Sequence, residues 1–145
     1  MAAGARYWVA MSQENVEVAY RGLDAYNRRD IEALLETLDP EVEWRPAFPV
    51  LLGGDATAYR GHEGIREMFR DFDDVLEEIH VEYSEVSDLG DRVVAIGLIR
   101  TRGKASGATT ESPFGSVTDL KDGKAVLVRT FLDPQKALEA AGLPE

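Results

Sequence analysis

The sequence contains no cysteine, which excludes disulfide bonds, thiolate metal ligands and cysteine nucleophiles. It also has no apolar run approaching the ~20 residues of a membrane-spanning helix, so we expect no contact with a membrane. The two histidines, His62 and His80, lack the spacing of a metal-binding pair, and we expect no metal ion. The apolar patch near the start is too short for a secretory signal. A chain of this composition is compatible with a reducing compartment, and we predict a cytoplasmic location.

Basic residues are scarce: 16 Lys and Arg stand against 27 Asp and Glu, for a formal charge of −11. A surface of that sign repels phosphate backbones, and no basic stripe with interleaved aromatic residues occurs. We therefore expect no nucleic acid as a partner. The acidity itself fits a role in solubility.

The length of 145 residues fits one domain, which at this size buries enough surface to fold without covalent staples. Met11, followed by Ser12-Gln13-Glu14, resembles a second start methionine. We therefore interpret residues 1–10 as a disordered or start-site extension and residues 11–145 as the single domain.

Three amphipathic helices are predicted in the first half. One covers Glu14 to Arg29, because apolar residues recur there at steps of three and four. Asp30 caps a short second helix that Asp39-Pro40 ends. The third carries these residues on its buried side: Ile65, Met68, Phe69, Phe72, Val75, Leu76 and Ile79. Between them, Glu41 to Arg45 alternates like a strand, and Pro46 to Ala58 is a loop long enough for a lid or a binding loop.

The second half is different in kind. Four segments have strand character: His80–Leu89, Arg92–Lys104, Thr109–Lys121 and Lys124–Leu132. The Asp122-Gly123 pair predicts a hairpin, so that neighbouring strands are antiparallel. Asp133-Pro134 begins a last helix that runs to Ala141, with Gly142 as its cap. Helices followed by an antiparallel meander indicate an α+β fold.

Several aromatic residues are candidates for the wall of a ligand pocket. Trp44 and Phe131 lie on predicted strands, and Tyr20 and Tyr26 lie on the apolar face of the first helix. The tyrosine hydroxyls could donate hydrogen bonds to a ligand. Ordinary core packing is the alternative for all four residues, and in an apolar pocket the two interpretations overlap.

Two arginines occur in phase with apolar strand residues. Arg100 continues the series Val94, Ile96 and Leu98, and Arg129 lies within Ala125, Leu127 and Phe131. Such an arginine either reaches water at a strand end or is buried against an anion. In the second case it binds a ligand carboxylate or enolate, or pairs with Glu111. Glu111 is then the candidate acid or base, a role that requires its burial.

Several stretches resemble the SnoaL-like branch of the superfamily that contains nuclear transport factor 2 and the ketosteroid isomerases. They occur in the family's order: Ala25–Leu35, Leu38–Trp44, Tyr59–Ile65 with Phe69, Leu120–Lys124 and Ala137–Leu143. The resemblance spans the chain from about Met11 onward.

The resemblance implies a cone-shaped, cystatin-like domain in which N-terminal helices pack in the concave face of a strongly bent, mostly antiparallel sheet. A cavity at the wide end would hold a small apolar organic ligand. Phe69, Phe114 and Thr118 join the ligand-binding candidates on this basis, with Glu111 and Arg129 as the catalytic ones. The family pattern also implies a homodimer through the outer sheet face and chemistry without a cofactor.

The catalytic residues of the ketosteroid isomerases do not carry over. Their tyrosine position falls on Gly22, and their base position falls on Trp44 or Arg45. The acidic residue of the SnoaL-type cyclases falls on Ser116 or Val117, neither of which is a useful base. Ketosteroid isomerase chemistry is therefore disfavoured.

Two functions remain open from the sequence. One is a cofactor-free enzyme of the isomerase, polyketide-cyclase-like or hydrolase/lyase type that acts on a small organic molecule. The other is a non-catalytic ligand-binding or dimerisation domain. A partner-binding adaptor is a third alternative, and fold alone does not decide among them.

Overall fold

The computed structural model describes residues 2–47 and 58–143, with side chains from residue 13 onward. These residues form four helices and six strands, joined by turns. The helices are α1 (Ala2–Arg28), α2 (Ile31–Glu36), α3 (Gly61–Val75) and α4 (Pro134–Ala140). The strands are β1 (Leu38–Arg45), β2 (Tyr59–Arg60), β3 (Leu76–Asp88), β4 (Arg92–Gly103), β5 (Thr109–Lys121) and β6 (Lys124–Phe131).

The strands form one curled, unclosed sheet in the order β2-β1-β6-β5-β4-β3. Strands β3 to β6 form an antiparallel meander, as predicted, and β1 joins β6 in the parallel direction. The helices α1 to α3 precede or interrupt the first strands, so the α+β prediction is confirmed.

Local signals in the sequence determine several element ends. The Asp30 carboxylate accepts a hydrogen bond from the Ala33 amide at 3.2 Å and caps α2. Asp133 caps α4 in the same way through the Gln135 amide, with Pro134 in the first turn. Both residues of the Asp122-Gly123 turn have positive φ, which the tight hairpin between β5 and β6 requires.

The predicted end of the second helix is wrong. The helix stops at Glu36, and β1 already begins at Leu38, so Pro40 lies inside a strand. The register between β1 and β6 shifts between Leu38 and Glu43. Pro40 lies in this irregularity, where its missing N–H removes no ladder hydrogen bond.

The third helix is shorter than predicted, because it ends at Val75. Leu76 has extended backbone angles, and both Leu76 and Ile79 belong to β3. Ile79 is in phase with the helix before it and also with Val81 on the strand, so the spacing of apolar residues did not separate the two structures.

The first helix begins earlier than predicted, at Ala2 rather than Glu14. The interpretation of residues 1–10 as an extension beside a domain of residues 11–145 stays a prediction. The predicted lid or binding loop at Pro46–Ala58 falls largely on residues 48–57, outside the described residues. In the described parts of the chain, no helix is long and apolar enough to cross a membrane.

The two faces of the sheet are covered differently. The inner face, marked by Phe114, Ser116 and Thr118, lies toward α1. The outer face carries Val94 and Val117, which pack against α4 in a separate cluster with Ala137 and Ala141. At Gly115, an added Cβ would lie only 2.6 Å from the Ala137 Cβ, so the close approach of α4 requires this glycine.

Candidate functional site

A cavity of about 70 Å³ lies between α1 and the inner face of the sheet. On α1 the lining residues Val18, Gly22 and Tyr26 recur every four residues, which places them on one face of the helix. On β5 the lining residues alternate for the same geometric reason. The sheet and the adjoining segments contribute Leu38, Trp44, Pro46, Ala47, Val81, Tyr83, Ile99, Phe114, Ser116, Thr118, Ala125, Val128 and Thr130.

Aromatic rings build one wall of this cavity. The Tyr26 and Trp44 rings stack with 6.0 Å between centroids and 7° between planes. Phe69 lies against Tyr26 at 5.5 Å with a tilted ring, inside the core. Because Tyr26 is packed between two rings, its position is fixed and only 8% of its surface is exposed.

The Tyr26 hydroxyl has no hydrogen-bond partner among the described residues. Burial raises the pKa of Tyr26 well above its ordinary value, the positive charge of Arg29 opposes this shift, and Tyr83 adds to it. The phenol is therefore neutral at pH 7 and remains able to donate a hydrogen bond.

Tyr83 contributes a second phenol from β3. Burial raises its pKa too, and the neighbouring Ser116 hydroxyl opposes that shift. The exposed Tyr20 ring meets the Tyr83 ring edge-on at 5.9 Å. Tyr83 therefore lies between a surface aromatic residue and the cavity.

Two of the threonine hydroxyls that line the cavity donate to backbone carbonyls. Thr37 donates to the Leu34 oxygen at 2.7 Å, and Thr130 donates to the Arg45 oxygen at 3.1 Å. These donors are already used, in contrast to the Tyr26 phenol. All the described lining residues are uncharged at pH 7.

Four of the predicted ligand-binding residues line the cavity: Tyr26, Trp44, Phe114 and Thr118. Phe69 lies behind Tyr26 and does not line it. Tyr20 is 46% exposed, does not line the cavity, and meets the ring of Tyr83.

Arg100 and Glu111 lie on the outer face, away from the cavity. Their side chains form an ion pair at 3.4 Å and are 42% and 52% exposed. The pairing that we considered from the sequence is present, but the burial that an acid or base role requires of Glu111 is not.

Arg129 and Phe131 also face outward, because a bulge changes the phase of β6. Leu120 pairs with Ala125, whereas Asp119 pairs with Leu127, so one extra residue lies between them. Ala125 points into the cavity, whereas the odd-numbered residues after the bulge point to the outer face of the sheet. Phe131 packs beside the α4 cluster, and Arg129 approaches Asp119 at 4.0 Å.

Tyr83 and Ser116 are two polar lining residues that we did not select from the sequence. Tyr83 alternates with Val81 in a segment predicted as a strand, so the signal was present. Ser116 lies between Phe114 and Thr118 in phase, and we considered it only as a missing base.

The family model for the SnoaL-like domain matches residues 19–128, which is most of the chain. The chain belongs to the SnoaL-like domain family. The matched segment runs from α1 to β6 and contains most of the residues that line the cavity. No curated protein sequence matches the chain.

Solved structures share the SnoaL-like fold. TerC, crystallised with polyporic acid, is 29% identical with a TM-score of 0.74, over 87% of this chain and 96% of TerC. A nuclear-transport-factor-2-like protein of unknown function from Burkholderia pseudomallei is 23% identical with a TM-score of 0.74, over 87% and 95%. A ketosteroid-isomerase-like fold from Catenulispora acidiphila, in complex with trimethylamine, is 16% identical with a TM-score of 0.70, over 88% and 94%.

Proposed function

We propose that this SnoaL-like domain binds a small, uncharged, largely apolar organic molecule in the cavity between α1 and the sheet. The observation that carries the proposal is the composition of the described wall. Aromatic and aliphatic side chains alternate there with a few hydroxyl groups, and none of these side chains is charged.

Desolvation determines which ligands such a cavity favours. Apolar ligand surface that enters such a cavity gains about 25 cal/mol per Å² removed from water. A charged group that enters it loses its hydration and meets no opposite charge among the described lining residues, which costs several kcal/mol. The cavity therefore favours neutral ligands.

The solved structures support a small-molecule site. TerC was crystallised with polyporic acid and the Catenulispora protein with trimethylamine. These ligands belong to those proteins, and we take from them only that SnoaL-like and related folds hold small molecules.

Binding rather than turnover is the function that the site supports best. The catalytic candidate Glu111 is exposed on the outer face with Arg100, and Arg129 also lies outside the cavity. Within the described wall, the ionisable groups are the phenols of Tyr26 and Tyr83, which are neutral at pH 7 and whose pKa values burial raises further. Pairing of two copies through the outer sheet face and a cytoplasmic location stay predictions.

A matched pair of fluorescent probes tests the proposal. N-phenyl-1-naphthylamine is neutral, and its sulfonated derivative, anilinonaphthalene sulfonate, has the same rings and one negative charge. Fluorescence titration in about 0.5 M salt screens the net charge of the protein. We expect saturable binding of the neutral probe and at least about tenfold weaker binding of the sulfonate. Equal affinity for both probes, or no saturable binding of the neutral one, would contradict the proposal.

A further inference from the structure

Gly22 lies inside α1 and lines the cavity between Val18 and Tyr26, on the same face of the helix. A glycine in a helix interior lowers the folding equilibrium constant by roughly fourfold to fivefold relative to alanine. Helix formation therefore disfavours this residue, and another property of position 22 has to explain its presence.

Neither the backbone of Gly22 nor the approach of another backbone requires glycine there. Its φ is not positive. Beyond the adjacent residues and the backbone of α1, an added Cβ would meet two described atoms within 4 Å, Thr37 Oγ1 at 3.3 Å and Leu34 Cδ1 at 3.8 Å. Both atoms belong to side chains, whereas at Gly64 the nearest atom is the Tyr59 carbonyl carbon at 3.1 Å. An alanine at position 22 thus needs a small shift of the Thr37 hydroxyl and no movement of backbone.

The space beside Gly22 belongs to the cavity. Leu34 and Thr37, which the added Cβ would approach, line the same cavity and are 1% and 5% exposed. The Thr37 hydroxyl already donates to the Leu34 carbonyl oxygen. This part of the wall therefore offers an apolar surface from α2 to a ligand, shielded from solvent.

We propose that Gly22 determines the size of the ligand, because an apolar part of the ligand occupies the space that a side chain at position 22 would fill. The inference rests on the proposed function and adds a specificity-determining residue to it. Leu34 belongs to α2, and Thr37 is its C-cap. The ligand class is therefore a neutral apolar molecule large enough to contact α2 as well as the sheet.

Two neutral probes that differ by one ring test the inference. 1-Naphthylamine has the fused rings of N-phenyl-1-naphthylamine and lacks its phenyl ring. Fluorescence titration gives the dissociation constant of the larger probe, and displacement of that probe gives the constant of the smaller one. We expect Gly22→Ala to weaken binding of the larger probe by roughly threefold or more and Gly22→Leu by at least about tenfold. Binding of the smaller probe should change by less than about twofold.

Urea denaturation of the variants separates a role in binding from a role in packing. Arg21 is exposed on the same helix, so a comparison of Arg21→Ala with Arg21→Gly measures the effect of helix propensity alone. We expect Gly22→Ala to unfold at the same urea concentration as the wild type or a higher one, as alanine does relative to glycine at position 21. A clearly lower midpoint for Gly22→Ala would assign the glycine to the packing of α1 on α2 and overturn the inference.

The binding data can also overturn it. Wild-type affinity for both probes in folded Gly22→Ala and Gly22→Leu, or an equal loss for both probes, would do so and leave the proposed function standing. Gly22→Ala alone decides the question if the leucine variant does not fold. Failure of the wild-type protein to bind either naphthylamine would remove the proposed function and the inference together.

Discussion

The side-chain amide of Asn27 forms two hydrogen bonds with the backbone of Val81. Its nitrogen donates to the Val81 oxygen at 2.9 Å, and its oxygen accepts from the Val81 amide at 3.0 Å. Because β3 lies at the end of the strand order, these backbone groups have no neighbouring strand on that side. Asn27 makes the two backbone hydrogen bonds that a residue of a neighbouring strand would make. It therefore links α1 to β3, the two elements that carry Tyr26 and Tyr83.

Asn27→Asp is therefore expected to destabilise the domain. Aspartate still accepts from the Val81 amide, but it cannot donate to the buried Val81 carbonyl when ionised. The free energy of unfolding should fall by about 1–3 kcal/mol at pH 7, as measured by urea denaturation. The exposed Gln13→Glu on the same helix makes the same change of charge and should have little effect. Equal stability of the two variants would show that the Asn27 contact is unimportant.

Gly97 is required for the close approach of β3 and β4. A Cβ at this position would lie 1.8 Å from the Glu82 carbonyl oxygen, next to the register shift at Tyr83 and Glu85. Gly97→Ala should lower the free energy of unfolding by about 3 kcal/mol or more, because backbone must move.

The control for this substitution is Gly103→Ala, at the end of β4. There the added Cβ meets only the flexible Ser106 side chain at 3.0 Å. We expect a change below about 1 kcal/mol. If both glycine variants unfold at the same denaturant concentration, strand approach does not constrain position 97.

Because Tyr26 is buried, the free energy of unfolding is expected to depend on pH in the alkaline range. Burial raises the pKa of Tyr26 above its unfolded value of about 10. The unfolded state therefore loses this proton first, and the stabilisation is complete below pH 10 and is lost as the pH rises toward the folded pKa. Tyr26→Phe should reduce the fall in unfolding free energy above pH 10 by up to about 1.4 kcal/mol per pH unit.

Chemical denaturation at several pH values between 9 and 11.5 measures this slope. Tyr20→Phe serves as the comparison, since that side chain is largely exposed. A Tyr26→Phe slope as steep as that of the wild type would place the Tyr26 hydroxyl in water rather than in the cavity wall.

The packing of α4 on the outer face is tested by a pair of compensating changes. Gly115→Ala places a methyl group 2.6 Å from the Ala137 Cβ and should cost about 1–3 kcal/mol. Ala137→Gly removes the opposing methyl group, so the double variant should be more stable than the sum of the single effects predicts, by about 0.5–3 kcal/mol. Strict additivity in thermal or urea unfolding would argue against this contact.

The fold could be predicted from the sequence because its signals are local. Asp30, Asp133-Pro134 and Asp122-Gly123 each act through neighbouring residues, and each is confirmed. The error at Leu76 and Ile79 has a local cause as well, because apolar residues there suit both the helix before them and the strand that they enter.

The site could be predicted only in part, because the face of a strand residue depends on its register with a neighbour. Phe114 and Thr118, which we selected from the family resemblance, lie on the inner face of β5 and line the cavity. On β6 the bulge after Ala125 reverses the phase, which moved Arg129 and Phe131 to the outer face. Bulges arise from pairing between strands that are distant in sequence, and no residue in Ala125–Phe131 signals one.

If the cavity between α1 and the sheet is the binding site, a side chain that fills it must weaken binding. Ala19 lines it from α1, whereas Ala105 lies in the exposed turn between β4 and β5. Titration of Ala19→Phe and Ala105→Phe with N-phenyl-1-naphthylamine compares the same added side chain inside and outside the cavity. We predict at least about tenfold weaker binding by Ala19→Phe and wild-type binding by Ala105→Phe. Wild-type affinity in a folded Ala19→Phe protein would contradict the account.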